Sequence, residues 1–342
     1  MIKLLIIFLV IFSSSVFAAR GSISKNEIIS FKISGQVSKP IAKHWFDYFT
    51  GRGKNKLEQY LNNGEKYKEI IYSILKNHNM PTSIYYVALI ESGFHSKIKS
   101  SMGAVGTWQF MKKTGKKYGL IINDNIDERM NIYKSTIAAS KYLKDLFNIF
   151  HDWPLALAAY NAGEYRVLNA IRNGKTRSYK QLCKDKKLPA ETCNYVSKIW
   201  VVKKLDKYYE SFGFNKKNIN ASRVVLSKFE LDKRMKVKEI ASHLEISIDE
   251  FKQYNPDIIG NEITQPTSIY LPIFKVLNLF DGLRLSTISK VNNYILLNKL
   301  GMLETKDGDS IHLKSIGKNT LNLKNLRTGK KISLKTKDYF KN

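Results

Sequence analysis

Ile84, Val87, Ala88 and Glu91 stand at i, i+3, i+4 and i+7, so on a helix running from Thr82 they share one face. That face is an apolar stripe holding a lone carboxylate. Withdrawal from water disfavours the charged form of a carboxyl and raises its pKa, which keeps the acid protonated near neutral pH and suits it to general acid catalysis. Ser92-Gly93 ends the helix and leaves the acid at the mouth of a cleft. On pattern alone the rival reading is the commoner one, a Glu at a helix end reaching to solvent. From Ser92 to Asn123 there is no Asp or Glu, while Lys97, Lys99, Lys112, Lys113, Lys116 and Lys117 supply six positive charges. Hydrolysis of a glycosidic bond by the usual route needs two carboxylates facing each other, roughly 5 to 9.5 Å apart. This stretch offers one. Gly103, Gly106 and Gly115 permit tight turns and close approach of backbone to a ligand, and Trp108, Gln109 and Met111 provide an apolar and amide lining.

The elements that must hold these residues read as helices. Trp45, Phe46, Tyr48 and Phe49 give aromatic helical patterning, and Ile70, Ile71, Ile74 and Leu75 mark an amphipathic helix that stops at the Asn77 to Pro81 break. Pro81 opens the helix of Glu91. A long helix is expected over Ile132 to Phe150, with Ile137, Tyr142, Leu146 and Ile149 among its apolar positions. Pro154 suits a first helical turn, and Leu155 to Ala162 then form a small-residue helix made for close packing. From Asp309 onward Ile311, Leu313, Leu321, Leu323, Ile332 and Leu334 alternate as strands, with Gly317, Asn319 and Gly329 at turns.

The 342 residues carry 57 Lys and Arg against 29 Asp and Glu, a net +28, which points to an anionic partner. Ten of the basic residues are Arg, and the Lys excess is read in part as codon bias. Lys3, the apolar run Leu4 to Phe12, the serines 13 to 15 and Val16-Phe17-Ala18 read as a secretory signal cut near Ala18. The run is too short to span a bilayer, no later segment does so in the mature chain, and no lipoprotein cysteine follows it. The expected location is therefore periplasmic or wall-associated, and export sets nucleic acid aside as a partner. Cys183 and Cys193 leave two readings, a local disulfide or two unpaired thiols, with an oxidising compartment favouring the bridge. The six His are scattered without paired helical spacing, and no Gly-x-Ser-x-Gly elbow or phosphate loop occurs. Neither a metal nor a cofactor is expected.

At this point the residues resemble a family. Glu91-Ser92-Gly93, Gly103 to Met111, Ala156 to Gly163, and Glu191-Thr192 with Tyr195-Val196 are similar to the ordered motifs of the soluble lytic transglycosylase (SLT) superfamily. Trp45-Phe46, Arg52 and Met80-Pro81-Thr82 resemble its membrane-bound lytic murein transglycosylase D branch. The resemblance spans roughly residues 45 to 205. It implies a mainly α, goose-lysozyme-like domain that cleaves the MurNAc to GlcNAc bond of peptidoglycan without water, leaving a 1,6-anhydro sugar. It makes Glu91 the single catalytic acid and then base, with the sugar's own C6 hydroxyl as nucleophile. It assigns Ser100, Gln109 and Met111 to the saccharide groove, Tyr160 and Asn161 to the surroundings of the acid, and Glu191 and Tyr195 to a final substrate-contacting motif. The bland reading of Tyr160 and Tyr195 is core aromatics, and of Glu191 a helix cap. Thr107-Trp108 departs from the usual apolar pair before the motif glutamine.

Residues 229 to 273 carry five Lys and Arg against eight Asp and Glu, and resemble a LysM module, a small βααβ glycan-binding unit. Its usual Gly-Asp-Thr turn is replaced by Asp232-Lys233-Arg234-Met235, so an accessory module that binds nothing is the competing reading. The expected plan is a signal over 1–18, an N-terminal extension over 19–65, an SLT-type domain over 66–210, a linker over 211–228, the LysM-like module, and a basic 274–342 region forming a degenerate second LysM or a small β unit. The expected partner is the peptidoglycan glycan strand. Two rivals stand beside the lytic transglycosylase: a hydrolytic muramidase taking its second carboxylate from Asp124, Asp127 or Glu164, and a non-catalytic wall-binding protein. Residues 19 to 228 hold +21 of the charge, facing the carboxylates of wall peptides, so lytic activity is expected to fall with added salt.

Overall fold

The computed structural model describes residues 35–215, 226–231, 234–243 and 246–272, with strands at 294–296, 302–305, 310–317, 320–325 and 331–335. The expected signal at 1–18, residues 19–34 and part of the expected linker lie outside the described residues.

The first ten helices are α1 (Lys39–Thr50), α2 (Lys54–Glu65), α3 (Lys68–Asn77), α4 (Tyr85–Ser92), α5 (Lys112–Lys117), α6 (Ile132–Phe150), α7 (Trp153–Ala162), α8 (Glu164–Gly174), α9 (Tyr179–Lys184) and α10 (Ala190–Lys207). At their centre lies α7, whose Leu155, Ala156, Leu157, Ala158 and Ala159 are all fully buried. A helix apolar on every side has no face for water, and α6, α8 and α10 cover it. The Asp152 carboxylate starts it by accepting from the Leu155 N–H at 2.9 Å, and Pro154 fits the first turn as expected. Asn131 starts α6 in the same way, accepting from the N–H groups of Tyr133 and Lys134. The buried face of α6 is Ala138, Ala139, Leu143, Leu146, Phe147 and Phe150, whereas Ile149 is exposed.

Pro81 leads into one 3-10 turn, Thr82–Ile84, before α4 begins. Ile84, Val87 and Ala88 are buried, as the spacing predicts. Gly93 ends α4 in the left-handed conformation at φ +58°, and a Cβ there would meet the Tyr60 ring at 2.2 Å. Only glycine satisfies both demands, and the stop fixes Glu91 in the last turn of its helix.

The LysM-like region has strands β1 (Leu226–Leu231) and β2 (Met235–Lys236), helices α11 (Val237–His243) and α12 (Ile248–Tyr254), and strands β3 (Glu262–Ile263) and β4 (Thr267–Pro272). β1 begins inside the segment expected as linker. It pairs antiparallel with β4, Leu226 opposite Pro272 and Leu231 opposite Thr267, and β2 pairs with β3. Ser247 caps α12 by accepting from the Glu250 N–H, Phe251 fills the core, and Asn255 ties the helix to β4 with bonds to both Tyr270 backbone groups. Beyond it β5 (Tyr294–Leu296), β6 (Met302–Thr305), β7 (Ser310–Gly317), β8 (Thr320–Asn325) and β9 (Lys331–Lys335) form an antiparallel meander, a small β unit.

Module and helical domain are in contact. Ile126 and Ile258 make an antiparallel bridge, the Ile259 and Gly260 N–H groups both donate to the Asn125 carbonyl at 3.0 Å, and the Tyr133 and Tyr270 rings stack with centroids 4.1 Å apart.

Candidate active site

Glu91 is partly buried on α4, where α4 meets α10. The Tyr195 hydroxyl, from α10, donates to its Oε1 at 2.6 Å. Burial pushes the Glu91 pKa up to about 7; the Tyr195 hydrogen bond and the Lys198 charge pull against that rise, and the charge of Glu191 adds to it. The carboxyl is thus a group that both holds and releases a proton near neutrality. Tyr160 lies close enough to feel the Glu91 charge, and its hydroxyl donates to the Trp108 carbonyl at 2.7 Å. Burial, with Glu91 as the next cause, lifts the phenols of Tyr160 and Tyr195 well above their ordinary range, so both remain donors.

Two segments carry the other expected residues. On α10, Glu191 is exposed in the first turn, where the helix N-terminus favours a negative charge, and Thr192 donates to Asn161 Oδ1 at the end of α7. Cys193, two residues on, is joined by a disulfide to Cys183 of α9. The bridge pins the start of α10 and with it Glu191.

The second segment is the loop from Lys99 to Met111. Ser100 turns it, its N–H donating to the Ala104 carbonyl and its own carbonyl accepting from the Gly103 N–H, while its Oγ accepts from the Ala104 N–H at 3.0 Å. Gly106 is at φ +84°, and a Cβ there would lie 1.9 Å from the Arg129 carbonyl oxygen. Gln109 is also left-handed at φ +48°, and its Nε2 donates to the Gly106 carbonyl at 2.9 Å. Met111 is exposed and precedes α5. Ser92 Oγ donates to the Thr107 carbonyl at 2.9 Å, tying this loop to the turn after Glu91.

One expected lining residue belongs elsewhere. Trp108 is fully buried, with its indole N–H donating to Thr136 Oγ1 at 2.9 Å, so it is a core anchor and offers the site its carbonyl alone. Of the carboxylates considered for a second role, Asp127 is buried in an ion pair with Arg129 at 2.6 Å and Asp124 is exposed on its turn. Glu164 stands near Tyr118 and Tyr142. Glu191 is the carboxylate that bears on Glu91.

Sequence reasoning missed Lys198 and the way Trp45 joins it. Lys198 Nζ lies 4.2 Å from the Trp45 ring centroid, and burial lowers its pKa against the pull of Glu191 and Glu91. Trp45 is itself held by its indole N–H donating to Asn194 Oδ1 at 2.7 Å. The signal was available: Glu191, Tyr195 and Lys198 are i, i+4 and i+7 on one helix. Among the described residues no group of three or more His, Cys, Asp or Glu side chains is arranged to hold a metal ion.

Comparison with known proteins follows the same division. Residues 68–183 match the family model described as transglycosylase SLT domain, and residues 225–287 match the one described as lytic transglycosylase MltD, LysM-like domain. The membrane-bound lytic murein transglycosylase D of Escherichia coli K12 is 31% identical over 213 residues, which are 62% of this chain and 47% of that protein. The chain therefore spans about half the length of the curated relative it matches. Among solved structures, the 70-kDa soluble lytic transglycosylase of Escherichia coli aligns at 22% identity and a TM-score of 0.36, covering 42% of this chain and 24% of that one. A complex of the 70-kDa soluble lytic transglycosylase with bulgecin A aligns at 23% identity and a TM-score of 0.38, covering 52% and 29%. The chain carries an SLT domain followed by an MltD-type LysM-like domain, and is homologous to membrane-bound lytic murein transglycosylase D.

Proposed function

We propose that this protein is a peptidoglycan lytic transglycosylase that cuts the β-1,4 bond from MurNAc to GlcNAc without water. The carrying observation is Glu91, an acid of pKa about 7 gripped by the Tyr195 hydroxyl inside a segment that matches an SLT domain. Protonated Glu91 gives its proton to the bridging oxygen as the bond to C1 breaks. The carboxylate left behind takes the proton of the C6 hydroxyl on the same MurNAc while that oxygen bonds to C1. No water is consumed, one strand ends in a free GlcNAc 4-hydroxyl and the other in 1,6-anhydro-MurNAc, and Glu91 ends protonated as it began. An intramolecular nucleophile removes the need for a second carboxylate and a bound water.

In this reading Ser100, Gln109 and Met111 line the saccharide groove, Tyr160, Asn161 and Tyr195 shape and orient the acid, and Glu191 contacts substrate. The chain is exported by its N-terminal segment to the periplasm or wall, consistent with its disulfide and its +28 charge. Replacing Glu91 by Gln removes the proton donor. Loss of wall lysis by roughly three orders of magnitude with wall binding retained is the expected result, and unchanged lysis would leave only a wall-binding protein.

A further inference from the structure

We infer that the LysM-like module is a working part of the saccharide groove, with Asp257 as a positioning residue that acts on the Gly103 to Phe110 loop through Asp127 and Arg129. The inference rests on the proposed function for its substrate. It goes beyond that function in giving the second module a role in the site itself.

Asp257 lies in the loop after α12 and is fully buried against the helical domain. One carboxylate oxygen accepts from Asn131 Nδ2 at 2.9 Å and the other pairs with Lys134 Nζ at 2.7 Å. Lys134 also pairs with Glu128 at 2.9 Å and donates to Thr267 Oγ1 at 3.0 Å, while the Thr267 hydroxyl donates to Glu128 Oε1 at 3.0 Å. A closed ring of buried charged and polar groups thus joins α6 and the 121–131 loop of one module to β4 and the Asp257 loop of the other. Such a ring gains little net stability over an apolar contact of equal size, because desolvation offsets its attraction. Its distinguishing property is direction: each partner is held at one angle and one distance.

That geometry is passed on. The Asp257 carbonyl accepts from the Asp127 N–H at 2.8 Å. The Asp127 carboxylate grips Arg129 with two prongs, Nε to Oδ1 at 2.9 Å and Nη2 to Oδ2 at 2.6 Å. Arg129 then spends its remaining Nη1 on the groove loop, donating to the carbonyls of Gly103 at 3.2 Å and Phe110 at 3.1 Å. These two carbonyls bracket the loop, and between them Gly106 rests on the Arg129 backbone with no room for a Cβ. Gly103, Gly106 and Gln109 all hold positive φ, a conformation that for Gln109 persists only where its surroundings impose it. The chain of contacts therefore runs without a gap from the module to the loop that carries Gln109. A module whose sole task was to tether the enzyme to the wall would need no buried charge against its neighbour.

The test uses the full chain, Asp257→Ala and Asp257→Asn, with soluble peptide-free glycan strands as substrate. A loosened groove weakens ground-state and transition-state binding alike, so Asp257→Ala should raise KM by about fivefold or more with kcat within about twofold. The pH midpoint set by Glu91 should stay in place. Both variants keep the backbone carbonyl facing Asp127 and lose the charge that holds Asp257 against Lys134, but Asp257→Asn keeps the acceptor facing Asn131 and should fall between the parent and the Ala variant; it also carries the test if the Ala variant does not fold. Lower thermal stability with unchanged KM, or a defect confined to insoluble walls, overturns the inference. Should the parent cleave no strands, the proposed function fails instead, and strand binding by the Glu91→Gln chain with and without Asp257→Ala decides: weaker binding supports the inference and equal binding overturns it.

Discussion

Tyr195 and Glu91, 104 residues apart in sequence, are joined by a 2.6 Å hydrogen bond in which the phenol donates and the carboxyl oxygen accepts. The bond opposes the effect of burial on the same carboxyl. Burial lifts the Glu91 pKa, the hydrogen bond favours the charged form and lowers it, and the result of about 7 leaves both protonation states populated where the reaction needs each in turn.

Removing the phenol therefore moves Glu91 in a defined direction. In Tyr195→Phe the carboxylate loses its donor, its pKa rises, and the alkaline limb of the rate against pH shifts to higher pH. The rate at its optimum should drop by roughly 10- to 100-fold because the acid is no longer aimed. A pH series on parent and variant measures both, and an alkaline limb that stays put or moves to lower pH would contradict the assignment.

The same raised pKa makes Glu91 a cost to folding. Its folded value lies above the unfolded one, so the native state binds more protons between about pH 4.5 and 7, and stability falls as pH rises through that window. The cost is absent below the unfolded pKa and complete above about 7, where it amounts to roughly 3 kcal/mol. Glu91→Gln should accordingly melt higher than the parent at pH 8 and with it at pH 4. A parent that outlasts the Gln variant at pH 8 would count against a carboxyl whose burial outweighs its partners.

Glu91 was legible because a helical period of 3.6 carries orientation along the chain, and Gly93 announces the end of its helix by residue type; Tyr160 and Tyr195 came from the resemblance to the SLT motifs, since spacing alone read them as core aromatics. Trp108 was not legible. It sits beside Gln109, whose positive φ reverses the chain, and no local periodicity tells inside from outside across such a turn. Asp127 was weighed as a second carboxylate because, although its partner Arg129 is only two residues on, the burial of that pair against the Gly103 and Phe110 carbonyls depends on contacts distant in sequence. The contact of Lys134 with Asp257 spans 123 residues and two modules, so the sequence suggested a separate LysM-like unit and gave no sign that one face of it is spent on the helical domain.

Gly106 is the most constrained glycine of the groove. Alanine there must adopt φ +84° and place a Cβ 1.9 Å from the Arg129 carbonyl oxygen. Gly106→Ala should lose about 2 to 4 kcal/mol of stability and raise KM by displacing Gln109. Chemical denaturation alongside kinetics checks both effects, and a variant as stable as the parent would show that the loop is free to move.

The Cys183 to Cys193 bridge closes a short loop, with a sequence separation of 10. In the chain-entropy account that is about 2 to 3 kcal/mol of stability. Cys183→Ser with Cys193→Ser should lower the melting temperature by that equivalent and raise KM through Glu191, with kcat little changed. Reductant should do the same to the parent and nothing to the double variant, and a parent indifferent to reductant would contradict the role given to the bridge.

The central claim is that Glu91 works with the sugar's own hydroxyl and without water. Digestion of glycan strands in water enriched in oxygen-18, followed by mass spectrometry of the new ends, tests it directly. The account predicts 1,6-anhydro-MurNAc ends, one water lighter than reducing ends and free of label at the moment of cleavage. Reducing MurNAc ends as the first product, carrying one labelled oxygen per bond cut, would contradict it and assign the chain to hydrolysis.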